Sequence, residues 1–214
     1  MARLRVISMV SAKMEQMDQF IEQVKTKEHF IVYCGDGKLF DYNDNSLIRH
    51  INFVKKKMAE HGMKASQFTA SENMKERVEL IKLFNNGYID SLVAIRCLDE
   101  GINIPSIKSA LILSSNDNYR EFVQRRGRIL RKYEDDFGEK KEVADIYDII
   151  VLSQKDKSSV TQIEFRRFYE YARLALNKEL NIKILEEYME KYNLSYEDIT
   201  NETLDAINEE QMDD

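Results

Sequence analysis

The sequence predicts an α/β fold: a mainly parallel central sheet flanked by helices. Two observations carry this. Short runs rich in β-branched and aromatic residues recur at 29–34, 91–98, 109–115 and 144–152. Segments with helical periodicity lie between most of them, closed by turn residues such as Gly62 and Asn86-Gly87. Strands separated by helices of ten or more residues imply βαβ units, and so parallel pairing. The crossovers of such units are right-handed. Ligands of an open sheet of this kind sit beyond the carboxyl ends of its strands.

The elements follow in order. Residues 1–28 read as helical, with Met14, Met17, Ile21 and Val24 on one side. "HFIVYC" at 29–34 reads as a buried strand ending at Gly35, and "CGDGKLFDYNDN" as a polar loop. Leu47, Ile51, Val54 and Met58 recur at helical spacing and predict one apolar face, stopped at Gly62. "KASQF" predicts a second strand. "TASE" at 69–72 has the form of a capping box, with Thr69 as cap and Glu72 reaching back. Val78, Ile81, Leu83 and Phe84 give the following helix its apolar side.

"SLVAIRCL" predicts a third strand, followed by the loop "DEGINIP", which holds the only proline, Pro105. "SALILSS" predicts a fourth strand, "YREFVQRRGRILR" a helix, "ADIYDIIVL" a fifth strand and 158–177 a long helix. Residues 179–214 read as one or two short helices with Ile184, Leu185, Met189 and Leu194 as apolar contacts.

Composition narrows the functional classes. The chain has 214 residues, 43% of them hydrophobic, enough for a sizeable core. Its net charge is −6, but residues 178–214 carry −9, which leaves +3 on 1–177. A mildly basic body with an acidic end is compatible with a nucleic-acid partner and does not by itself identify one. Two cysteines, Cys34 and Cys97, form no disulfide framework, which points to a reducing cytoplasm. No apolar run reaches membrane-spanning length, and no signal peptide is visible at Met1. His29, His50 and His61 do not cluster with other ligands at a metal spacing, so no structural metal is expected.

"CGDGK" at 34–38 invites comparison with a phosphate-binding loop. It fails: Val32 stands where G-x-x-x-x-G-K-[ST] needs glycine, and Leu39 where it needs Ser or Thr. No strand ends in a pair of acids suited to magnesium, and no nucleophile–base arrangement stands out. Yet two segments suit a nucleotide. In "GINIP" a glycine, Gly101, lets the backbone approach a ligand, and Asn103 offers an amide to a hydroxyl. In "EFVQRRGRILRK" five cationic side chains fall within twelve residues, with Arg128 and Arg131 on one helical face. Guanidinium forks match phosphate oxygens.

"LVAIRCLDEGINIP" followed by "EFVQRRGRILR" resembles motifs V and VI of superfamily 2 helicases of the DEAD/DEAH type. "IVYCG" is similar to motif IV, and "FTASENMKERVELIKLFNNG" to the segment between IV and V. The resemblance covers about 29–152. It implies the second, C-terminal RecA-like lobe of a two-lobe motor, a three-layer domain with helical extensions at both ends. The missing Walker A and acidic motifs belong to the first lobe. The implied organisation is an inter-lobe helical segment over 1–28, the RecA-like domain over 29–153, and a helical extension with an acidic tail over 154–214.

The resemblance also implies roles. Arg128 and Arg131 match the arginines that reach the γ-phosphate of ATP held, with Mg2+, on the other lobe; Gln124 and Arg125 match the start of that motif. Gly101 and Asn103 match the ribose-contacting turn, where Asn103 replaces an acid and keeps hydrogen bonding without the charge. Many members place a threonine where this chain has Ile95; Arg96 beside it either takes over a phosphate contact or pairs with Asp99 or Glu100. Gly35, through its amide, and Thr69, through its hydroxyl, are the other strand-backbone candidates.

The implied partners are the N-terminal ATPase lobe, a nucleic-acid backbone, and candidate restriction, repair or defence factors. Gln124 and the "GRILR" ending are closer to excision-repair and type III restriction helicases than to DEAD-box RNA helicases, so DNA is expected over RNA. The chain alone is expected not to hydrolyse ATP. The alternative is a non-catalytic nucleic-acid or protein-binding module on the same fold; the reading frame upstream of Met1 discriminates the two.

Overall fold

A computed structural model describes residues 11–25, 28–41, 46–95, 104–113, 126–134, 138, 140–154 and 157–200. The chain forms two compact units, Met1–Ile149 and Ile150–Asp214. The first contains α1 (Ser11–Val24), β1 (Phe30–Tyr33), β2 (Lys38–Asp41), β3 (Ser46–Arg49), α2 (His50–Glu60), β4 (Ala65–Phe68), α3 (Met74–Asn85), β5 (Ser91–Ala94), β6 (Ser109–Ile112), β7 (Tyr133–Glu134), β8 (Lys140–Lys141) and β9 (Asp145–Asp148).

The central sheet has five strands in the order β4-β5-β1-β6-β9, and every pairing is parallel. The three inner strands are buried on both faces, which explains why FIVY, SLVA and SALI read as unbroken apolar runs rather than alternating ones. Alternation still sorts their side chains. Phe30, Val32, Val93 and Leu111 join a cluster with Met14, Met17, Ile21 and Val24 of α1 and Ile51, Val54 and Met58 of α2. Ile31, Leu92, Ala110 and Ile112 are buried among the residues of opposite parity. This is a RecA-like arrangement, a mainly parallel sheet flanked by helices.

Two helices of this unit end as the glycines predict. Gly62 (φ +79°) donates to Ala59 O at 3.0 Å and Met63 to Met58 O at 2.9 Å, a Schellman closure of α2. Gly87 (φ +72°) and Tyr88 repeat the pattern on Phe84 O and Leu83 O at the end of α3.

Four expectations are corrected. The stretch 34–45 is not simply loop: β2 pairs antiparallel with β3 as a hairpin between β1 and α2. Leu47 lies in β3 and is 68% exposed, so it does not continue the α2 face. Helix α3 begins at Met74, later than Thr69 implies, because Asn73 caps it and Glu76 reaches back to the Asn73 amide. Of the apolar residues assigned to α3, Phe84 is fully buried while Val78 is 48% exposed, since only the C-terminal part of the helix meets the core.

The second unit contains α4 (Ser159–Ala172), α5 (Lys178–Lys191) and α6 (Tyr196–Thr200). Phe165, Leu185, Met189, Leu194 and Ile199 form its core. Ser158 caps α4 by accepting from the Thr161 amide, and Asn193 (φ +52°) takes the glycine position in a Schellman closure of α5. Ile184, expected inside, is 39% exposed, about 100° around α5 from the buried Leu185. A buried ion pair marks α4: both Arg167 guanidinium nitrogens donate to Glu164, whose Oε2 also accepts from the Val151 amide at 2.8 Å. No helix among the described residues is long and apolar enough to cross a membrane.

Candidate nucleotide and nucleic-acid site

Parallel register determines where the site residues emerge. Tyr33 aligns with Ala94 and Ile112, and Ala94 with Phe68, so β1, β4, β5 and β6 end at one edge of the sheet. Gly35 and Thr69 follow two of those ends directly. The residues from 96 to 103 and from 114 to 125 are outside the described set, and with them Arg96, Gly101, Asn103, Gln124 and Arg125.

Gly35 is held by a residue that sequence reasoning missed. Its amide donates to Nδ1 of His50 at 3.2 Å, while the neighbouring Cys34 amide continues the sheet by donating to Ala94 O at 2.8 Å. His50 opens α2, is fully buried, and donates its own amide to Gly37 O at 2.8 Å. Burial, and secondarily the charge of the buried Lys13, lowers its pKa to about 4, so the imidazole is neutral at physiological pH and Nδ1 can accept. Arg49 and Asp36 form an exposed ion pair across the base of the hairpin at 3.4 Å. A lone histidine at a helix start carries no signal in the sequence.

Thr69 sits in a self-contained turn between β4 and α3. Its hydroxyl donates to Glu72 Oε2 at 2.8 Å and lies 2.6 Å from the Ser71 hydroxyl; its amide donates to Glu72 Oε2 at 2.5 Å. Gln67 donates to the other Glu72 oxygen at 2.7 Å, and Arg77 from α3 donates to the Thr69 carbonyl at 3.0 Å. Burial works to raise the Glu72 pKa, but hydrogen bonds from Thr69, Gln67 and Ser71 outweigh it and hold the carboxyl below its usual value. Thr69 and Glu72 do meet as the sequence predicts, in a turn that precedes the helix instead of its first turn.

Arg128 lies in a helical turn over 126–129, and Arg131 just beyond it; Leu130 donates to Arg126 O at 3.0 Å. Ile129, between the two arginines, is fully buried and anchors the turn, while Arg131 is exposed. The carbonyl of Ile129 accepts from Nζ of Lys141 at 2.6 Å, and the carbonyl of Pro105 accepts from the same nitrogen at 3.1 Å. Lys141 is 8% exposed, and burial draws its ammonium down to about 8. It was not legible as a site residue, because both partners are main-chain atoms remote from it in sequence.

A parallel sheet flanked by helices, with a glycine loop and a threonine turn after two strand ends at one edge, is the arrangement of a RecA-like lobe. Comparison with known proteins carries this further. The helicase conserved C-terminal domain family matches residues 12–133, more than half of the chain, and the chain belongs to that family.

The chain is 25% identical over 209 residues to UvrABC system protein B of Pseudothermotoga lettingae, covering 92% of this chain and 30% of the relative. It is 23% identical over 150 residues to Putative helicase 22 of Sulfolobus islandicus filamentous virus, covering 60% of this chain and 27% of the relative. Over 57 residues it is 39% identical to DNA 3'-5' translocase XPB2 of Sulfurisphaera tokodaii, covering 27% of this chain and 13% of the relative. It thus spans less than a third of each of these relatives. Among solved structures, the C-terminal domain of the DEAD-box protein Dbp5 shares the fold, with a TM-score of 0.53 and 15% identity over 84% of this chain and 93% of that one. The C-terminal part of the Fun30 ATPase domain shares it equally, with a TM-score of 0.53 and 13% identity over 83% of this chain and 53% of that one. The chain is a C-terminal lobe of the superfamily 2 helicase type, related to repair helicases.

Proposed function

We propose that the chain is the second motor lobe of an ATP-dependent DNA helicase or translocase, completed by an N-terminal ATPase lobe of the same protein. The observation that carries this reading is the convergence of the Gly35 and Thr69 connections on one edge of the sheet, in a chain that also presents Arg128 and Arg131 on a buried anchor. ATP with its Mg2+ binds mainly to the other lobe. Arg128 and Arg131 reach across to the γ-phosphate and stabilise charge in the transition state, with Gln124 and Arg125 ordering the cleft. Gly101 and Asn103 meet the ribose.

Gly35, Thr69 and Arg96 meet the strand backbone. The Thr69 hydroxyl already donates to Glu72 and would accept from no phosphate, so its contact with a phosphate oxygen requires the proton to turn from Glu72 to the strand. The Gly35 amide likewise exchanges its His50 acceptor for a phosphate oxygen, or shares it. ATP closes the lobes on the strand and hydrolysis releases them. Few cysteines are in keeping with a cytoplasmic setting.

The test is ATP turnover by the full-length protein with single-stranded DNA. Arg128→Ala and Arg131→Ala should each lower kcat by about a thousandfold with folding intact. Near-normal turnover in both would sink the assignment.

A further inference from the structure

Lys141 is placed as few lysines are. It stands in a two-residue strand, is 8% exposed, and spends its ammonium on two main-chain carbonyls: Ile129 at 2.6 Å and Pro105 at 3.1 Å. A buried cation persists only where such acceptors replace its water. The two carbonyls are not arbitrary. Ile129 lies directly after Arg128 and two residues before Arg131. Pro105 lies two residues after Asn103. The strand that carries Lys141 pairs with β7, which begins two residues after Arg131, through Tyr133↔Lys141 and Glu134↔Lys140. One side chain therefore joins the arginine turn, the main chain at Pro105 and the hairpin that follows.

We propose that Lys141 is a positioning residue of the ATP site, which fixes the arginine turn against the Pro105 carbonyl so that Arg128 and Arg131 address the nucleotide. The proposal rests on the reading of Arg128 and Arg131 as γ-phosphate contacts. Lys141 touches no nucleotide itself. It acts by setting where the backbone beneath Arg128 and Arg131 lies, and a displacement of about 1 Å at a reacting centre can cost about a hundredfold in rate. Ile129 fills its buried socket through its side chain; Lys141 holds its carbonyl, and so the rotation of the turn.

The test uses the full-length protein at saturating single-stranded DNA. Arg128→Ala comes first: if kcat is unchanged, the arginine reading fails and this proposal with it. If kcat collapses, Lys141→Met decides the proposal on its own. The expected result is a loss of at least about tenfold in kcat, with KM for ATP within about threefold of wild type and a cooperative thermal melt. In an Arg128→Lys background, which keeps a charge but not the fork, Lys141→Met should cost less than about twofold more, because the placement it sets no longer matters to a bidentate contact. Turnover by Lys141→Met within about twofold of wild type overturns the proposal, and so does an equal fold loss in both backgrounds. Should Lys141→Met not melt cooperatively, Lys141→Gln, which keeps a polar head, goes through the same cycle and is judged by the same two outcomes.

Discussion

The main-chain amide of Gly35 donates to Nδ1 of His50 at 3.2 Å, joining the end of β1 to the first residue of α2 across the β2–β3 hairpin. The bond exists only while Nδ1 is unprotonated. Burial, helped by Lys13, lowers the His50 pKa from 6.5 to about 4, so the unfolded chain takes up its proton before the folded one does. Between those values the unfolded state binds more protons, and stability falls as pH falls. His50 thus accounts for about 2–3 kcal/mol of stability lost between pH 7 and pH 4.5. Asparagine can present Oδ1 where Nδ1 stood and does not titrate. His50→Asn should flatten urea-unfolding stability over that interval; an unchanged slope would remove His50 as its cause.

Glu72 organises the turn before α3 by accepting from the Thr69 amide and hydroxyl and from Gln67. Its carboxyl is held below its usual value, so its contribution is present above about 4.5 and is lost as pH falls through the lowered folded value. Glu72→Gln weakens charge-assisted bonds without emptying the space. It should destabilise the protein by about 1–2 kcal/mol at pH 7, with the gap to wild type closing in acid. Thermal melts at pH 7 and pH 3.5 check both halves of the prediction.

In the second unit, Glu164 and Arg167 are both nearly inaccessible, and Glu164 also holds the Val151 amide. Removing either partner leaves the other charge buried. Glu164→Ala should cost about 3–5 kcal/mol, more than replacing both residues together by apolar side chains of similar volume. A double replacement as damaging as Glu164→Ala would show that packing, not the uncompensated charge, carries the effect.

The sheet was legible because inner strands of a parallel sheet must be apolar on both faces, and FIVY, SLVA and SALI are. The β2–β3 hairpin was not: its strands have four residues each, and no Asn-Gly tip announces it, so Leu47 was drawn into the periodicity of the helix that follows. The start of α3 was misread because two capping-box spacings occur in succession, Thr69 to Glu72 and Asn73 to Glu76; Glu72 reaches back to the Thr69 amide, but only Asn73 and Glu76 make the full box that opens the helix. Val78 and Ile184 show that helical spacing identifies a face without saying how much of it a neighbour covers. Spacing put Arg128 and Arg131 on one helical face, but the helical turn ends at Ile129 and Arg131 lies beyond it. Lys141 and His50 were not legible, because each serves main-chain atoms that only the folded chain brings near.

The strand-contact assignment separates into charge and hydrogen bonding, and salt tells them apart. Each phosphate neutralised on single-stranded DNA contributes about 0.7 to the slope of log K against log salt. If Arg96 replaces the absent threonine hydroxyl by contacting a phosphate, Arg96→Ala should weaken single-stranded DNA binding by the full-length protein and reduce that slope by about 0.7. Thr69 is 9% exposed and neutral. Thr69→Val should therefore weaken binding at every salt concentration and leave the slope unchanged, beyond whatever it costs the Glu72 turn in stability. Fluorescence anisotropy from about 50 to 200 mM salt measures both effects. An unchanged slope in Arg96→Ala would mean that Arg96 pairs with Asp99 or Glu100 instead, and that the absent threonine contact has no cationic replacement.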